Sequence, residues 1–376
     1  MAHFAGLEDF NTMLEDDATS AGVFSDSMGE MIELIADTEE VNAEMAEFND
    51  FMTKSESAFA FVSGTEALCK SIEDYGISRG QMMSADPTGM WLSKMGLTSY
   101  EELPVTPIKD QVAVAAVEGM KDTLKKWGTA VKNFFKKIWE FIKRIFGKVI
   151  QMFQKVEKVL KQIKEKLEKI TLDDEKMKDK KIKTLPATDM KKWADIVKTL
   201  GEKLLVNNPD KLVTKVAKSG DVTSKIIFEV IKKELFDSKK DHMLAVGYKE
   251  NDKKEDFAST KDTFTEGEKE ASLKDHKYDT SKGIELCDLA IAIAAMVAKF
   301  PALQKSWEQL LKASEKELDS IIASGEENKK LKTDIENKKK IISQLSSVQN
   351  AIISAMKKVC SNTIQIGNAL IACEKK

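Results

Sequence analysis

With 376 residues and a mass of 42.0 kDa, the chain is long enough for two or three domains with their own cores, which excludes a single small module. Hydrophobic residues make up 42% and charged residues 32%, a balance that excludes both a low-hydropathy disordered chain and an integral membrane protein. The net charge of −3 conceals a division: residues 1–105 hold 21 Asp/Glu against Lys54, Lys70, Arg79 and Lys94, a net −17, while the remainder holds 41 acids and 55 bases, a net +14. Such asymmetry marks an interaction segment or a removable one.

Only 6 Pro, 18 Gly and 4 Tyr stand against 59 Lys/Arg and 62 Asp/Glu, which suits long solvated helices better than turn-rich sheets. The predicted fold is all-α: long amphipathic helices in a bundle, with coiled-coil-like helices at the C-terminus. The composition divides the chain into four segments, an acidic region 1–105, a basic helical domain 106–236, a charged linker 237–283 and a helical region 284–376.

The chain opens Met1, Ala2, His3 and runs into acidic sequence without the basic and apolar regions of a secretory signal, so export by that route is not expected. From Ser27 to Tyr75, Met31, Leu34, Ile35, Val41, Met45, Phe48, Met52 and Phe59 recur mostly three, four or seven apart, predicting one or two amphipathic helices. Gly76, Gly80, Pro87, Gly89, Gly96, Pro104 and Pro107 then supply stops and extended connections, the best boundary in the chain.

Val112 to Ile170 predicts one very long helix, or two joined near Gly128 or Gly147. Shorter helices are expected at Met190–Leu205, Leu212–Lys218 and Ser224–Phe236. Residues 237–283 are mostly Lys, Asp, Glu, Ser and Thr, with Met243–Tyr248 as an apolar island, and predict a mobile linker or an irregular excursion. The apolar stretch at Leu289–Ala298 is too short to cross a bilayer and reads as a buried helix. Trp307, Leu311, Leu318, Ile321, Leu331, Ile335, Ile342, Leu345, Ile352, Met356, Val359 and Ile366 then recur at coiled-coil spacing, with Gly325 as the divide of a helical hairpin and the seam packed within its own chain.

The usual signatures of catalysis are missing. His3, His242 and His276 are the three histidines, and no HExxH, GxGxxG, Walker A or GxSxG pattern occurs. The acidic pairs Asp16/Asp17, Glu39/Glu40 and Asp173/Asp174 fit solvated surface or helix ends. Cys69, Cys287, Cys360 and Cys373 lie far apart without a CxxC pair, so reduced thiols packed as small apolar residues are expected. The chain is read as a non-enzyme without cofactor or metal.

The chemistry concentrates in residues 121–170, where fifteen Lys/Arg and five Asp/Glu give a net +10 interleaved with Trp and Phe. The candidate contact residues are Lys125, Lys126, Trp127, Lys132, Lys136, Lys137, Trp139, Lys143, Arg144 and Lys148. Three readings share that composition: a core helix whose aromatic stripe is covered and whose lysines are solvated, a helix that tracks DNA phosphates through counterion release, and an amphipathic helix in an anionic membrane surface. Base-specific reading is not expected, since no known DNA- or RNA-reading motif is recognisable. An acidic segment tied to a basic body would shield it until displaced or removed.

Ser99, Tyr100 and Glu101 stand at the charge boundary, in the Gly/Pro-rich connection where extended backbone is expected to be open to a protease. Ser71, Ile72, Glu73 and Ala116, Val117, Glu118 share the small-x-Glu pattern. The opening Gly6, Leu7, Glu8, Asp9, Phe10, Asn11, then Glu15, Asp16, Asp17 and Ala21, Gly22, Val23, Phe24 complete the picture. This arrangement resembles the internal head proteins of large tailed phages, the inner-body or ejected proteins packed in the capsid with the genome. The resemblance implies an acidic propeptide removed by a prohead protease that cuts after Glu, here Glu101, leaving a mature N-terminus at Glu102. It also implies residence inside the virion head, and in the host cytoplasm during assembly or after ejection, with packaged DNA and other virion proteins as partners. A membrane-active helical protein restrained by its acidic segment and an intracellular helical interaction protein are the alternatives.

Overall fold

A computed structural model describes residues 43, 47, 68–85, 97–109, 111–218, 223–251, 256–259, 267–324 and 329–375. Apart from residues 43 and 47, both helical, the stretch from Ser27 to Phe59 where helices are expected, the opening residues, Asp16/Asp17, Glu39/Glu40 and Gly325 lie outside them. Among the described residues the chain is predominantly helical, as its composition predicts.

In chain order, residues 68–75 are helical and α1 spans Arg79–Ala85, before a 3-10 turn at Tyr100–Glu102. Helix α2 runs unbroken over Gln111–Leu167, 57 residues, through both Gly128 and Gly147. Then come α3 (Asp174–Asp179), β1 (Lys181–Thr184), α4 (Ala187–Val206), α5 (Pro209–Lys218), α6 (Ser224–Phe236), α7 (Lys240–Leu244), β2 (Tyr248–Asn251), β3 (Asp256–Ser259) and β4 (Lys269–Ser272). Helix α8 (Thr280–Met296) passes through a 3-10 segment into α9 (Phe300–Ser324), and α10 spans Lys329–Ala372.

Local chemistry places several of these ends. Asp173 caps α3 by accepting from the Glu175 and Lys176 N–H groups, so the Asp173/Asp174 pair does sit at a helix end. Thr223 caps α6, which stops where Asp237 turns left-handed at φ 52° and donates its N–H to the Lys232 carbonyl. Asp279 accepts from Lys282 N at the start of α8.

The described residues of 237–283, a segment expected as a linker, are tied down. Strands β2 and β3 pair antiparallel, Tyr248 opposite Ser259, and β4 pairs antiparallel with β1, Lys181 opposite Ser272. His276 is buried with its Nε2 3.0 Å from the Lys269 carbonyl, its own carbonyl accepts from Ala187 N, and Tyr278 donates to the Leu185 carbonyl at 2.7 Å. The polar composition of this interval reflects backbone pairing across long sequence separations, which needs few apolar side chains.

The chain divides into two units, one of residues 1–46, 141–310 and 336–376 and the other of 47–140 and 311–335. In the first unit α8 packs along α4. Gly367 on α10 lets Ile163 of α2 approach to 2.3 Å from where a Cβ would stand, and Gly283 on α8 does the same for Leu370 at 2.7 Å. Phe146 and Phe300 meet edge to face at 5.5 Å, and the fully buried Trp307 donates to Gln349 Oε1 at 2.7 Å. The C-terminal residues return to α3, with Asp173 N bonded to the Cys373 carbonyl and Lys375 N to the Thr171 carbonyl.

The uninterrupted helical stretch Thr280–Glu317, 38 residues, is long and apolar enough to cross a membrane, which corrects the expectation that Leu289–Ala298 is too short. Half of its most apolar window is buried inside the protein, where Leu286, Cys287, Ala290, Ile293 and Ala294 line the side turned to its neighbours. All four cysteines are buried; burial pushes the Cys287 thiol up to about 12 and raises those of Cys360 and Cys373.

Candidate functional site

Two places carry the expected functional residues, the middle of α2 and the turn at Ser99–Glu101. On α2 the side chains of Lys125, Lys126, Trp127 and Lys132 lie outside the described residues, although the helix itself runs through them. Farther along, at about 100° per residue, Lys136, Lys137, Lys143, Arg144 and Lys148 fall within one face. Lys136, Lys137, Lys143 and Arg144 are exposed and Lys148 is half-buried.

The opposite face holds Phe135, Ile138, Phe141, Ile142, Ile145, Phe146, Val149 and Phe153, all buried, with Phe146, Val149 and Phe153 at 0% exposure. Trp139 sits at the margin, half-buried. Among the described side chains, Phe135, Phe141, Phe146 and Phe153 are therefore core, and what α2 presents to solvent along this stretch is mainly cationic, with the exposed Glu140 between Lys136 and Arg144. The guanidinium of Arg144 lies 4.7 Å from the Phe141 ring centroid, which packs the arginine stem against the apolar margin. From Lys136 to Lys148 the face is about 18 Å long at 1.5 Å per residue, matching about five phosphates along one strand of duplex DNA.

The turn is more ordered than its glycine and proline neighbours suggest. Ser99 accepts from Glu101 N at 3.1 Å, while Glu102 Oε1 accepts from Thr98 N, Thr98 Oγ1 and Ser99 N at 2.8, 2.7 and 2.9 Å, forming a capping box. These donors, the Thr98 hydroxyl foremost, hold the Glu102 carboxyl below its ordinary value. Arg79 donates from Nε to the Tyr100 carbonyl at 3.1 Å and from Nη2 to the Glu101 carbonyl at 2.8 Å. The backbone at Tyr100–Glu102 is thus a clamped 3-10 turn and not the extended connection that was expected. Glu101 and Glu102 are exposed nonetheless.

The other two small-x-Glu sequences are less open. Ser71–Glu73 lies in helix, with Ile72 at 1% exposure and Ser71 Oγ bonded by Gln81 Nε2, and Ala116–Glu118 lies in α2 with Ala116 buried. Arg79 is the residue that sequence reasoning passed over. Its one available signal was its place among only four bases in an acidic region of 105 residues.

Among the described residues no group of three His, Cys, Asp or Glu could hold a metal ion. His242 and His276 are separately buried, and burial lowers the His242 pKa. A family model of phiKZ-like phage internal head proteins matches residues 4–375. No curated protein and no solved structure matches the chain.

Proposed function

Because the chain belongs to the phiKZ-like phage internal head protein family, whose place is inside the virion head, we propose that it is packed there against the genome, with the exposed cationic face of α2 lying on DNA phosphates. The observation that carries this reading is the division of one helix into a buried aromatic side and an exposed Lys/Arg side. Where Phe135, Phe141, Phe146 and Phe153 are covered, they are not available to insert into acyl chains, whereas the lysines need only reach phosphate oxygens. Binding of this kind is electrostatic and independent of sequence. The acidic residues 1–105 oppose it, and a prohead protease cutting after Glu101 is the step that divides the two charge regions. The protein acts as a structural component beside other virion proteins.

Duplex DNA binding by the full chain, measured over a salt series, tests the contact. Affinity is expected to fall steeply with salt, and Lys136→Gln, Lys143→Gln and Arg144→Gln together should flatten the log–log slope by roughly three units, near one per phosphate released. Binding unchanged by the triple substitution would remove α2 from the contact. Leakage of anionic vesicles that persists at high salt would instead favour the membrane reading. N-terminal sequencing of the protein from particles tests processing: Glu102 is the expected terminus, Glu101→Gln should abolish it, and Met1 or Ala2 would make the acidic segment a permanent part.

A further inference from the structure

Residues on the two sides of the Glu101–Glu102 bond share one hydrophobic cluster. Leu68, Cys69, Ile72, Ile77 and Met82 come from the acidic side, Leu103, Ala113 and Ala116 from the basic side, and all are buried to 5% exposure or less. Backbone bonds also cross the bond to be cut. Ile77 and Ile108 exchange N–H···O bonds of 2.8 and 3.1 Å, and Arg79 N donates to the Pro104 carbonyl at 2.8 Å. Gly76, at φ +90°, brings the two segments so close that a Cβ there would lie 2.4 Å from the Ile108 carbonyl oxygen.

We propose that cleavage after Glu101 nicks the chain without freeing its acidic segment, which stays seated through Leu68, Cys69, Ile72, Ile77, Arg79 and Met82 on Leu103, Pro104, Ile108, Ala113 and Ala116. The inference rests on the proposed processing at Glu101 and adds the fate of the two pieces once the bond is cut. Hydrolysis consumes one water and breaks the Glu101–Glu102 amide, leaving a carboxylate on Glu101 and an ammonium on Glu102. Of the bonds that cross the cut, the one from Glu102 N to the Ser99 carbonyl, 3.2 Å, uses that amide's nitrogen, which remains a donor as the new ammonium; the others do not touch it. The new carboxylate arises at the oxygen that Arg79 Nη2 already bonds, so a neutral acceptor becomes a charged one against a guanidinium. The three donors from Thr98 and Ser99 to the Glu102 carboxylate likewise span the cut and survive it. Cutting therefore removes the covalent tether alone, and uncovering the basic body requires a second event that opens this cluster.

The test uses the full chain with a recognition sequence for a site-specific protease inserted between Glu101 and Glu102, cut after folding and purification. Gel filtration in native buffer should show both fragments eluting together at the volume of the uncut chain and separating only in denaturant. Separation in native buffer overturns the proposal. Gly76→Val in the same chain should release the fragment after cutting while the uncut variant keeps its helical circular dichroism, and equal retention by the variant would show that the assigned interface is wrong. The outcome is distinct from that of processing: a Met1 terminus in particles together with co-elution of the cut fragments removes the processing reading and supports the docking.

Discussion

The cluster of residues 68–117 and the core around Trp307 are held by different means. In the first, five apolar side chains from one segment meet Leu103, Ala113 and Ala116, and among the described residues the one aromatic packed against the group, Tyr100, is half-buried at its edge. In the second, Trp307, Phe146, Phe153 and Phe300 are fully buried, and glycines at 283 and 367 allow helices to approach within van der Waals distance of a branched side chain. A buried Leu, Ile or Met contributes about 1.5–3 kcal/mol, so the small cluster is sufficient to hold two segments together. The candidate cut lies beside the first of the two, so access to it is expected to depend on that cluster and not on the aromatic core.

The comparison breaks most visibly if the strong core is weakened and the small cluster is indifferent to it. Trp307→Ala should cost about 3–5 kcal/mol, the range for a large aromatic removed from a packed site, and it leaves Gln349 Oε1 without its 2.7 Å donor. Chemical denaturation should report the loss, while the rate at which a Glu-specific protease cuts at Glu101 in native buffer stays unchanged. Gly367→Val tests the same core from the opposite direction. With Ile163 already 2.3 Å from the Cβ position, overpacking should cost about 1–3 kcal/mol.

How far these differences were legible in the sequence depends on the range of the signal behind each element. Helix α6 matches its predicted limits, Ser224–Phe236, because Thr223 before it and a left-handed residue after it are local signals. The α10 residues Ile342, Leu345, Ile352, Met356, Val359 and Ile366 are all buried, as their spacing requires. The pairing of β1 with β4 could not be read, since Lys181–Thr184 and Lys269–Ser272 are short, polar and nearly ninety residues apart. The basic composition of α2 was visible, but which aromatics are covered depends on neighbours such as Phe300 that the helix itself does not encode. The clamp of Arg79 on Tyr100 and Glu101 is likewise a contact across 21 and 22 residues, invisible to any local pattern.

A smaller effect, confined to the small cluster, is expected from Gly76→Ala. A methyl group at φ +90° and 2.4 Å from the Ile108 oxygen costs about 1–2 kcal/mol in backbone conformation alone. The main unfolding transition should not move, but cutting at Glu101 should accelerate several-fold. Equal cutting in the variant and the parent would mean that the Ile77–Ile108 bridge does not govern access to the turn.

The smallest effect is a pH dependence that differs between the two regions. Glu102 is held below its ordinary value of 4.5 by the Thr98 hydroxyl and then by the Thr98 and Ser99 N–H groups. A carboxyl with a depressed folded pKa binds its proton more weakly in the folded turn than in the open one. Its contribution is therefore present above the ordinary value and is lost as pH falls through the lower, folded value. Asp237 is depressed chiefly by its hydrogen bond with Lys203, in the other unit, so acid weakens both regions through different residues. Amide exchange separates them. The protection factors of the Thr98 and Ser99 N–H groups should fall on acidification below 4.5 in the parent chain, whereas Glu102→Gln should show low, pH-independent protection there while leaving the Ser238 N–H, bonded to the Lys232 carbonyl, as the parent has it. The same titration at Thr98 in both chains would place the acid sensitivity of the turn outside Glu102.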